Sequence, residues 1–374
     1  MTYNWQQPDW GQFTFDAHAL EEVLTAYLEA SSRLLGMLMA LPASVAMEFN
    51  VETIAREALG SSATDGEVLD SRNVLAAIRN KLGLNSKPEN VHDLTAIGLC
   101  EMLGDARKSF EQPLSASLLF KWHRQLLSYR QDLASLGHWR QGKEAVVILS
   151  GPIARQRKHF EAPPSFRVPP MMDQFIQWFN SSSEWPAMQK QGAVIRAAIA
   201  HLYFESIHPF ESGNGRIGRA IAEKALAQSL GLPAPFSLSK TIASDREGYF
   251  RALEKAQRKN ELTSWVQYFA TCLLKAISDA EQLAAFIVSK TRFLEKYSAS
   301  LNERQLYVVH RMLGEGTNEA NMGMNARRYC SITGASKATA TRDLQMLHRI
   351  GALKQHGSGR STGYSLNIGL QGDL

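Results

Sequence analysis

Two helical runs without a breaker meet at a glycine-rich turn, and no other stretch of the chain restricts its fold so tightly. The first run contains Val194-Ile195-Arg196-Ala197-Ala198-Ile199-Ala200-His201-Leu202-Tyr203-Phe204, and the second is the alanine-rich stretch from Ile217 to Ser229. Between them lies His208-Pro209-Phe210-Glu211-Ser212-Gly213-Asn214-Gly215-Arg216-Ile217-Gly218-Arg219. The segment therefore reads as helix, tight loop, helix. The N–H groups of Gly213, Asn214 and Gly215 open the second helix, where they lack intrahelical acceptors and the helix dipole favours an anion. Arg216 and Arg219, three apart, leave the first turn on roughly one face and can grip further phosphate oxygens. His208 adds a titratable base. A base beside a polyphosphate cradle suggests transfer of a group from a nucleotide to a hydroxyl.

Each part alone says little. A histidine at a helix end is usually structural, and a Gly-Asn-Gly turn is usually only a turn. Gly213-x-Gly215-x-x-Gly218 matches the dinucleotide fingerprint literally, but that fingerprint requires a preceding strand and a helix precedes here. No Walker-type loop occurs elsewhere in the chain. Only the whole stretch is specific.

That stretch resembles the signature of the Fic (Fido-fold) family, His-x-Phe-x-Asp/Glu-Gly-Asn-Gly-Arg-x-x-Arg. Members of the family mostly transfer AMP from ATP to a Ser, Thr or Tyr hydroxyl of a target protein. Others transfer different phosphate-containing groups, so the motif speaks for the reaction type more than for the donor. The resemblance implies that His208 is the general base and that Phe210 packs into the core to hold the loop. It implies that Asn214, with the backbone of Gly213 and Gly215, binds the α- and β-phosphates. Arg216 would contact the β-phosphate and Arg219 the γ-phosphate. One position departs from the pattern. The family's acidic residue, which usually ligates Mg²⁺, is Ser212 here, and the nearby carboxylate, Glu211, comes one place early. Mg²⁺ prefers hard oxygen ligands, often one or two carboxylates plus substrate phosphates, so Ser212 is a weak metal candidate.

A second segment carries the same resemblance. In Ser61-Ser62-Ala63-Thr64-Asp65-Gly66-Glu67-Val68-Leu69-Asp70, Gly66 reads as the end of a helix followed by a loop. The segment is similar to the inhibitory helix of Fic proteins, Ser/Thr-x-x-x-Glu-Gly/Asn, whose glutamate pairs with the second motif arginine and occludes the γ-phosphate site. The matching residues are Ser61, Asp65 and Gly66, with Arg219 as partner. An aspartate is one methylene shorter, which implies a longer or water-bridged pair. Ser44-x-x-x-Glu48 also matches but is followed by Phe49 and fits less well. The bland reading of Asp65 is a solvated carboxylate at a helix end.

The remainder of the chain fits a mostly α fold class: a Fido-fold helical core with a β-hairpin flap, followed by a small winged helix-turn-helix domain. Residues 1–110 read as an N-terminal helical region, 111–290 as the core and 298–374 as the last domain. The opening Tyr-Asn-Trp-x-x-Pro-x-Trp-x-x-Phe-x-Phe-Asp resembles an N-terminal region found on one subgroup of Fic proteins. A helical run follows from Leu20 to Ala46, in which Met37 and Met39, with Met47 beyond it, are expected to fill core gaps. Leu114 to Ser128 is amphipathic, and Gly137-His138-Trp139-Arg140 opens a region of β character. Val147, Ile148 and Leu149 belong to a short apolar strand that returns through Lys158–Glu161. The resemblance makes this ribbon the flap, whose exposed edge would take an extended target segment by strand addition.

Composition excludes little but points consistently. Of the chain's 374 residues, 44% are hydrophobic and 21% charged, as in an ordinary soluble protein. Cys100, Cys272 and Cys330 are scattered with no metal-ligand spacing, so a reducing cytoplasm is the natural reading. The start lacks a signal-peptide pattern, and no apolar run approaches the ~20 residues of a membrane helix, so no membrane partner is expected. Neither a monomer nor a homodimer is selected.

Charge is concentrated at the end of the chain. Within 324–364 there are seven Lys/Arg (Arg327, Arg328, Lys337, Arg342, Arg349, Lys354, Arg360) against Asp343 alone. Arg304–Leu313, Asn325–Ile332 and Ser336–Ile350 read as three helices, followed by a hairpin with Arg360 near its Gly/Ser-rich tip. This order resembles a winged helix. Its third helix, with Lys337, Thr339, Thr341 and Arg342, would enter a major groove while Arg360 touches phosphate, making double-stranded DNA the expected partner. A winged helix used for protein contacts is the alternative, since fold does not dictate function.

Two functions follow. One is an autoinhibited protein adenylyltransferase acting with ATP and Mg²⁺ on a hydroxyl of a protein target. The other is a DNA-binding transcriptional regulator whose Fic core senses nucleotide or is weakly active.

Overall fold

Side-chain oxygens start most of the helices, and the computed structural model shows them doing so across residues 2–142, 146–150, 157–182, 190–314 and 323–368, the residues described. The chain is mostly helical and divides into two compact units, Met1–Leu41 with Asn50–Ala280, and Pro42–Phe49 with Glu281–Leu374.

The chain runs through α1 (Ala17–Met39), α2 (Ala43–Thr64), α3 (Ser71–Lys81), α4 (Leu94–Lys108) and α5 (Ala116–Leu127). An antiparallel hairpin of β1 (Val147–Ser150) and β2 (Arg157–Glu161) follows. Then come α6 (Val168–Ser181), α7 (Lys190–Ile207), α8 (Asn214–Leu230), α9 (Leu238–Ser244), α10 (Arg246–Ala256) and α11 (Thr263–Tyr297). Asp16, Asp70, Asp93, Ser115, Ser237 and Asp245 accept from first-turn N–H groups of α1, α3, α4, α5, α9 and α10. Each cap satisfies a donor that the helix itself cannot.

The single run expected from Leu20 to Ala46 is two helices, separated at Pro42, whose fixed φ and missing N–H suit a helix start and not an interior. Met39 is 87% exposed and Met47 43%, so these two do not fill core gaps. Residues 137–140 form a loop and not a strand.

The pair α7 and α8 forms the centre of the first unit, with α1 and α6 against α7 and α4, α5 and α9 against α8. Both helices are buried nearly all round, which is why neither shows an amphipathic stripe. Small residues let them approach: a Cβ on Gly218 would lie 2.7 Å from Glu205 Oε1 and 3.1 Å from His201 Nδ1. The N-terminal segment lies on this unit as well. Asn4 N–H donates to the Gln257 carbonyl at 2.9 Å, and the Trp5 indole donates to the Glu161 carbonyl at the end of β2 at 2.8 Å.

At Gly60, α2 approaches α9 backbone to backbone. A Cβ there would sit 2.3 Å from the main-chain nitrogen of Lys240 and 2.6 Å from its Cα, atoms that cannot swing aside. Gly60→Ala is therefore expected to cost about 1–3 kcal/mol and to lower the melting temperature by roughly 5 °C. Calorimetry checks this, and an unchanged melting temperature would contradict so close an approach.

In the second unit, helices Glu303–Gly314, Ala326–Thr333 and Lys337–Arg349 precede an antiparallel hairpin, β3 (Leu353–His356) with β4 (Gly363–Leu366). Val308, Met312, Tyr329, Leu344, Leu347 and Tyr364 are among the residues of its apolar core. Among the described residues, no helix is long and apolar enough to cross a membrane.

Candidate functional site

His208 caps α7. Its N–H donates to the Phe204 carbonyl at 2.9 Å, yet its φ is +50°, in the left-handed region that suits glycine. Among the described residues it is the one non-glycine with positive φ. Pro209 then prevents the helix from continuing. Such strain costs on the order of 1–3 kcal/mol and persists only where the surroundings hold it. The half-buried imidazole is lowered to about 4, first by burial and then by the nearby Arg140 charge. The main-chain carbonyl of Glu205 and the Asp65 carboxylate pull the other way without prevailing. The ring is therefore neutral near pH 7 and able to accept a proton.

Phe210 anchors the loop after His208. It is fully buried, and its ring stacks on His123 of α5 at 4.1 Å and 9°. The same histidine supports the loop by its nitrogens. Nδ1 accepts from Gly137 N–H at 2.8 Å, which leaves the proton on Nε2 to donate to the Ser212 carbonyl at 3.2 Å. Burial pushes this ring down to about 4, so it too is neutral. The Asn214 side chain closes the loop from the other end. Its oxygen accepts from Phe210 N–H at 2.9 Å and its amide donates to the Phe210 carbonyl at 2.8 Å. Asn214 thus offers an anion its main-chain N–H, while its side chain holds the turn. Gly213 makes the turn at φ +81° and leaves α8 to begin at Asn214.

Arg216 and Arg219 leave the first turn of α8 almost wholly buried, and both meet segment 61–67 at the end of α2. Gly66, at φ +88°, ends α2 in a Schellman cap: Glu67 N–H donates to the Ser62 carbonyl and Gly66 N–H to that of Ala63. That reversal turns Asp65 and Glu67 toward the same arginines. Asp65 Oδ1 accepts from Arg219 Nη2 at 3.1 Å, and Asp65 Oδ2 lies 3.3 Å from Arg216 Nε. Glu67 Oε2 accepts from Arg216 Nη1 at 2.9 Å. Ser61 contributes its carbonyl and hydroxyl to Arg219 at 2.9 and 3.1 Å. The shorter aspartate therefore pairs directly, without the longer or water-bridged contact expected of it. Burial disfavours the Arg219 charge, but Asp65, with Tyr249 and Glu205, outweighs it and raises its pKa.

The Asp65 carboxylate also stands over the glycine turn. A Cβ on Gly215 would come 3.0 Å from Asp65 Oδ1. A negative group thus occupies the start of α8, where orphan N–H groups and two arginines converge. A phosphate fits the same donors by charge and geometry. Mg²⁺ fits less well. Ser212 brings a neutral hydroxyl, and Glu211 turns its carboxylate to Ala134 N–H at 3.1 Å. Among the described residues, no cluster of three or more His, Cys, Asp or Glu side chains could hold a metal.

Three residues without an assigned role in the sequence join the site: Glu67, His123 and Arg140. Glu67 was traceable, because a glycine at a helix end folds back the residue after it. His123 and Arg140 were not, since only the fold brings them beneath the loop. Val147 and Ile148 lie on β1, opposite Glu161 and Phe160, with a bulge after Ile148. The Leu149 side chain and the tip at 151–156 are outside the described residues.

In the second unit, Lys337 and Arg342 are exposed. Thr339 and Thr341 turn their hydroxyls to Ser336 Oγ and the Lys337 carbonyl, at 3.0 and 2.9 Å. The Arg360 side chain lies outside the described residues.

Known proteins resemble the chain over two stretches. Residues 113–226 match a family model described as Fic/DOC family, and residues 3–84 match one described as a domain of unknown function, DUF4172. A probable protein adenylyltransferase of Aquifex aeolicus (strain VF5) is 31% identical over 98 residues, 26% of this chain and 27% of that protein. The chain thus spans about a quarter of that relative's length. A Fido domain-containing protein of Dictyostelium discoideum is 28% identical over 134 residues, 35% of this chain and 88% of the relative. Among solved structures, a Fic family protein from Desulfovibrio desulfuricans G20 superposes with a TM-score of 0.55 at 20% identity, covering 96% of this chain and 98% of that one. A form of Fic-1 from C. elegans gives a TM-score of 0.51 at 20% identity, covering 69% and 71%. At such identities the structural likeness concerns the fold alone. Residues 113–226, which hold the glycine turn and both motif arginines, are thus similar to the Fic/DOC family, and the chain shares the fold of a Fic family protein of known structure.

Proposed function

We propose that the chain is a protein adenylyltransferase, moving AMP from ATP to a Ser, Thr or Tyr hydroxyl of a target protein, held in check by segment 61–67. The observation that carries this reading is the neutral His208 beside a glycine turn over which Arg216 and Arg219 hold a carboxylate, at the place where a phosphate would meet the same arginines. The name of the Aquifex relative supports it. With the segment withdrawn, main-chain N–H groups at the start of α8 would orient the phosphates. Arg216 and Arg219 would neutralise charge passing to the leaving group. His208 would take the hydroxyl proton as the target oxygen bonds to the α-phosphorus and pyrophosphate departs. The edge of β1 would hold the target as an added strand. No step is assigned to Mg²⁺, because Ser212 and the diverted Glu211 supply no carboxylate for it.

The test is incubation with ATP labelled at the α-phosphate, with and without Mg²⁺. Covalent label on protein, released by removing Asp65 and Glu67 and lost with His208, supports the reading; no label under any of these conditions ends it.

One observation favours a second activity, DNA binding through a winged helix at 298–374. The single acid of helix Lys337–Arg349, Asp343, is buried and bound by Arg304 at 2.7 Å, Tyr329 at 2.8 Å and Gln305 at 3.2 Å. The charges that this helix leaves exposed are consequently basic, as a polyanion partner needs. Lys337→Ala and Arg342→Ala are each expected to weaken duplex binding and to reduce the slope of log K against log salt by about one. Binding titrations at several salt concentrations measure this. Unchanged slopes in both variants would remove the DNA reading.

A further inference from the structure

Arg140 lies in the loop between α5 and β1, is 2% exposed, and belongs to neither of the motifs that the sequence singles out. All its described hydrogen bonds run to neutral groups. Nε donates to the His208 carbonyl at 2.7 Å, Nη1 to Ser165 Oγ at 2.9 Å, and Nη2 to the Pro163 carbonyl and, at 3.5 Å, to that of Ile207. Its main-chain N–H donates to the Pro209 carbonyl at 2.8 Å. A buried guanidinium without a carboxylate is costly, and burial lowers its pKa to about 10. Packing alone does not account for a cation here, because an apolar side chain of similar volume would fill the space without that cost.

We propose that Arg140 is the positioning residue of the candidate base: it clamps the His208 backbone in its left-handed conformation and ties it to the chain leaving the hairpin. The inference rests on the transferase reading above. His208 stands at φ +50°, and the orientation of its carbonyl in that conformation is what Arg140 Nε holds. Two further contacts lie just beyond β2, at Pro163 and Ser165. One guanidinium thus links the residue that would take the proton to the base of the strand pair that would present the hydroxyl. Proton transfer requires those two within hydrogen-bond reach of each other.

The charge has a separate effect. Arg140 and Asp65 act on the ring in opposite senses, and the Glu205 main chain sides with Asp65. Taking away the Arg140 charge therefore moves the ring pKa upward, while taking away the fork geometry alone leaves it in place.

The experiment compares Arg140→Lys and Arg140→Met in the Asp65→Ala, Glu67→Ala parent. Both are expected to lower kcat for transfer by about 10- to 100-fold, with KM for ATP near its parental value, because Arg140 touches neither the glycine turn nor the motif arginines. The acid limb of the pH profile is expected to rise by about one pH unit in Arg140→Met and to stay in Arg140→Lys. A residue that merely fills space would lower kcat without moving the limb, and that result overturns the proposal. A loss carried by KM overturns it too. If the parent transfers no label, the transferase reading fails by itself, and NMR titration of the His208 ring in the same variants still decides. An upward shift confined to Arg140→Met supports the contact, and no shift overturns it. Should Arg140→Met fail to fold, the Lys variant still tests the clamp through kcat and KM.

Discussion

Removing Asp65 and Glu67 together is expected to raise the rate of AMP transfer at subsaturating ATP by about 100-fold or more, since each acid makes a charge-assisted contact worth roughly 1.5–3 kcal/mol. The two acids are not equivalent. Asp65 lies against both motif arginines and over Gly215, so Asp65→Ala alone should give the larger share. Glu67 reaches only Arg216 among them and is partly exposed, where solvent weakens the pair, so Glu67→Ala alone should give about tenfold or less. Their effects should not add, because both bind the same guanidinium. The gain should appear in nucleotide affinity, read by calorimetry with ATP and with ADP. In the proposed function Arg216 would meet the β-phosphate, so a diphosphate would face the same obstacle. Tight ADP binding by the unaltered chain, or a double variant no more active than the parent, would contradict a gate made of these two carboxylates.

His208→Ala in that double variant is expected to reduce transfer by about 10²- to 10⁴-fold, the usual contribution of a positioned general base. ATP affinity should stay unchanged, because the imidazole is not among the groups that would hold phosphate. The pH dependence gives an independent reading. With the ring lowered to about 4, its proton-accepting form persists well below the usual histidine range. Transfer should therefore decline only as pH falls toward that value. Loss of Asp65, whose charge favours the protonated ring, should move the acid limb lower still. A limb near ~6.5, the ordinary value for histidine, would mean that the ring is neither buried nor next to Arg140 during turnover.

Much of this site was legible before folding because its chemistry is local. Helix, loop and helix follow from breakers and caps, and the orphan N–H groups of Gly213 to Gly215 follow from the start of a helix at a glycine turn. The end of α2 was equally legible, since Gly66 is the left-handed residue that a Schellman cap needs. The long run from Leu20 was misjudged at Pro42, where periodicity continued but the backbone could not. Met39 and Met47 show the complementary limit: apolar character said nothing about which side of the helix would meet water.

Sequence alone determined which groups are present and which local turns they make: the base, the glycine turn, the two arginines, and an acid before the glycine that ends a helix. Only the tertiary structure decided which charge meets which. It brought Glu67 to Arg216, put His123 under Phe210 and drove Arg140 into the backbone of His208. These contacts join residues far apart in the chain, and their strength comes from burial, which removes the water that would otherwise screen them. Burial is a property of the packed whole, and no single segment encodes it.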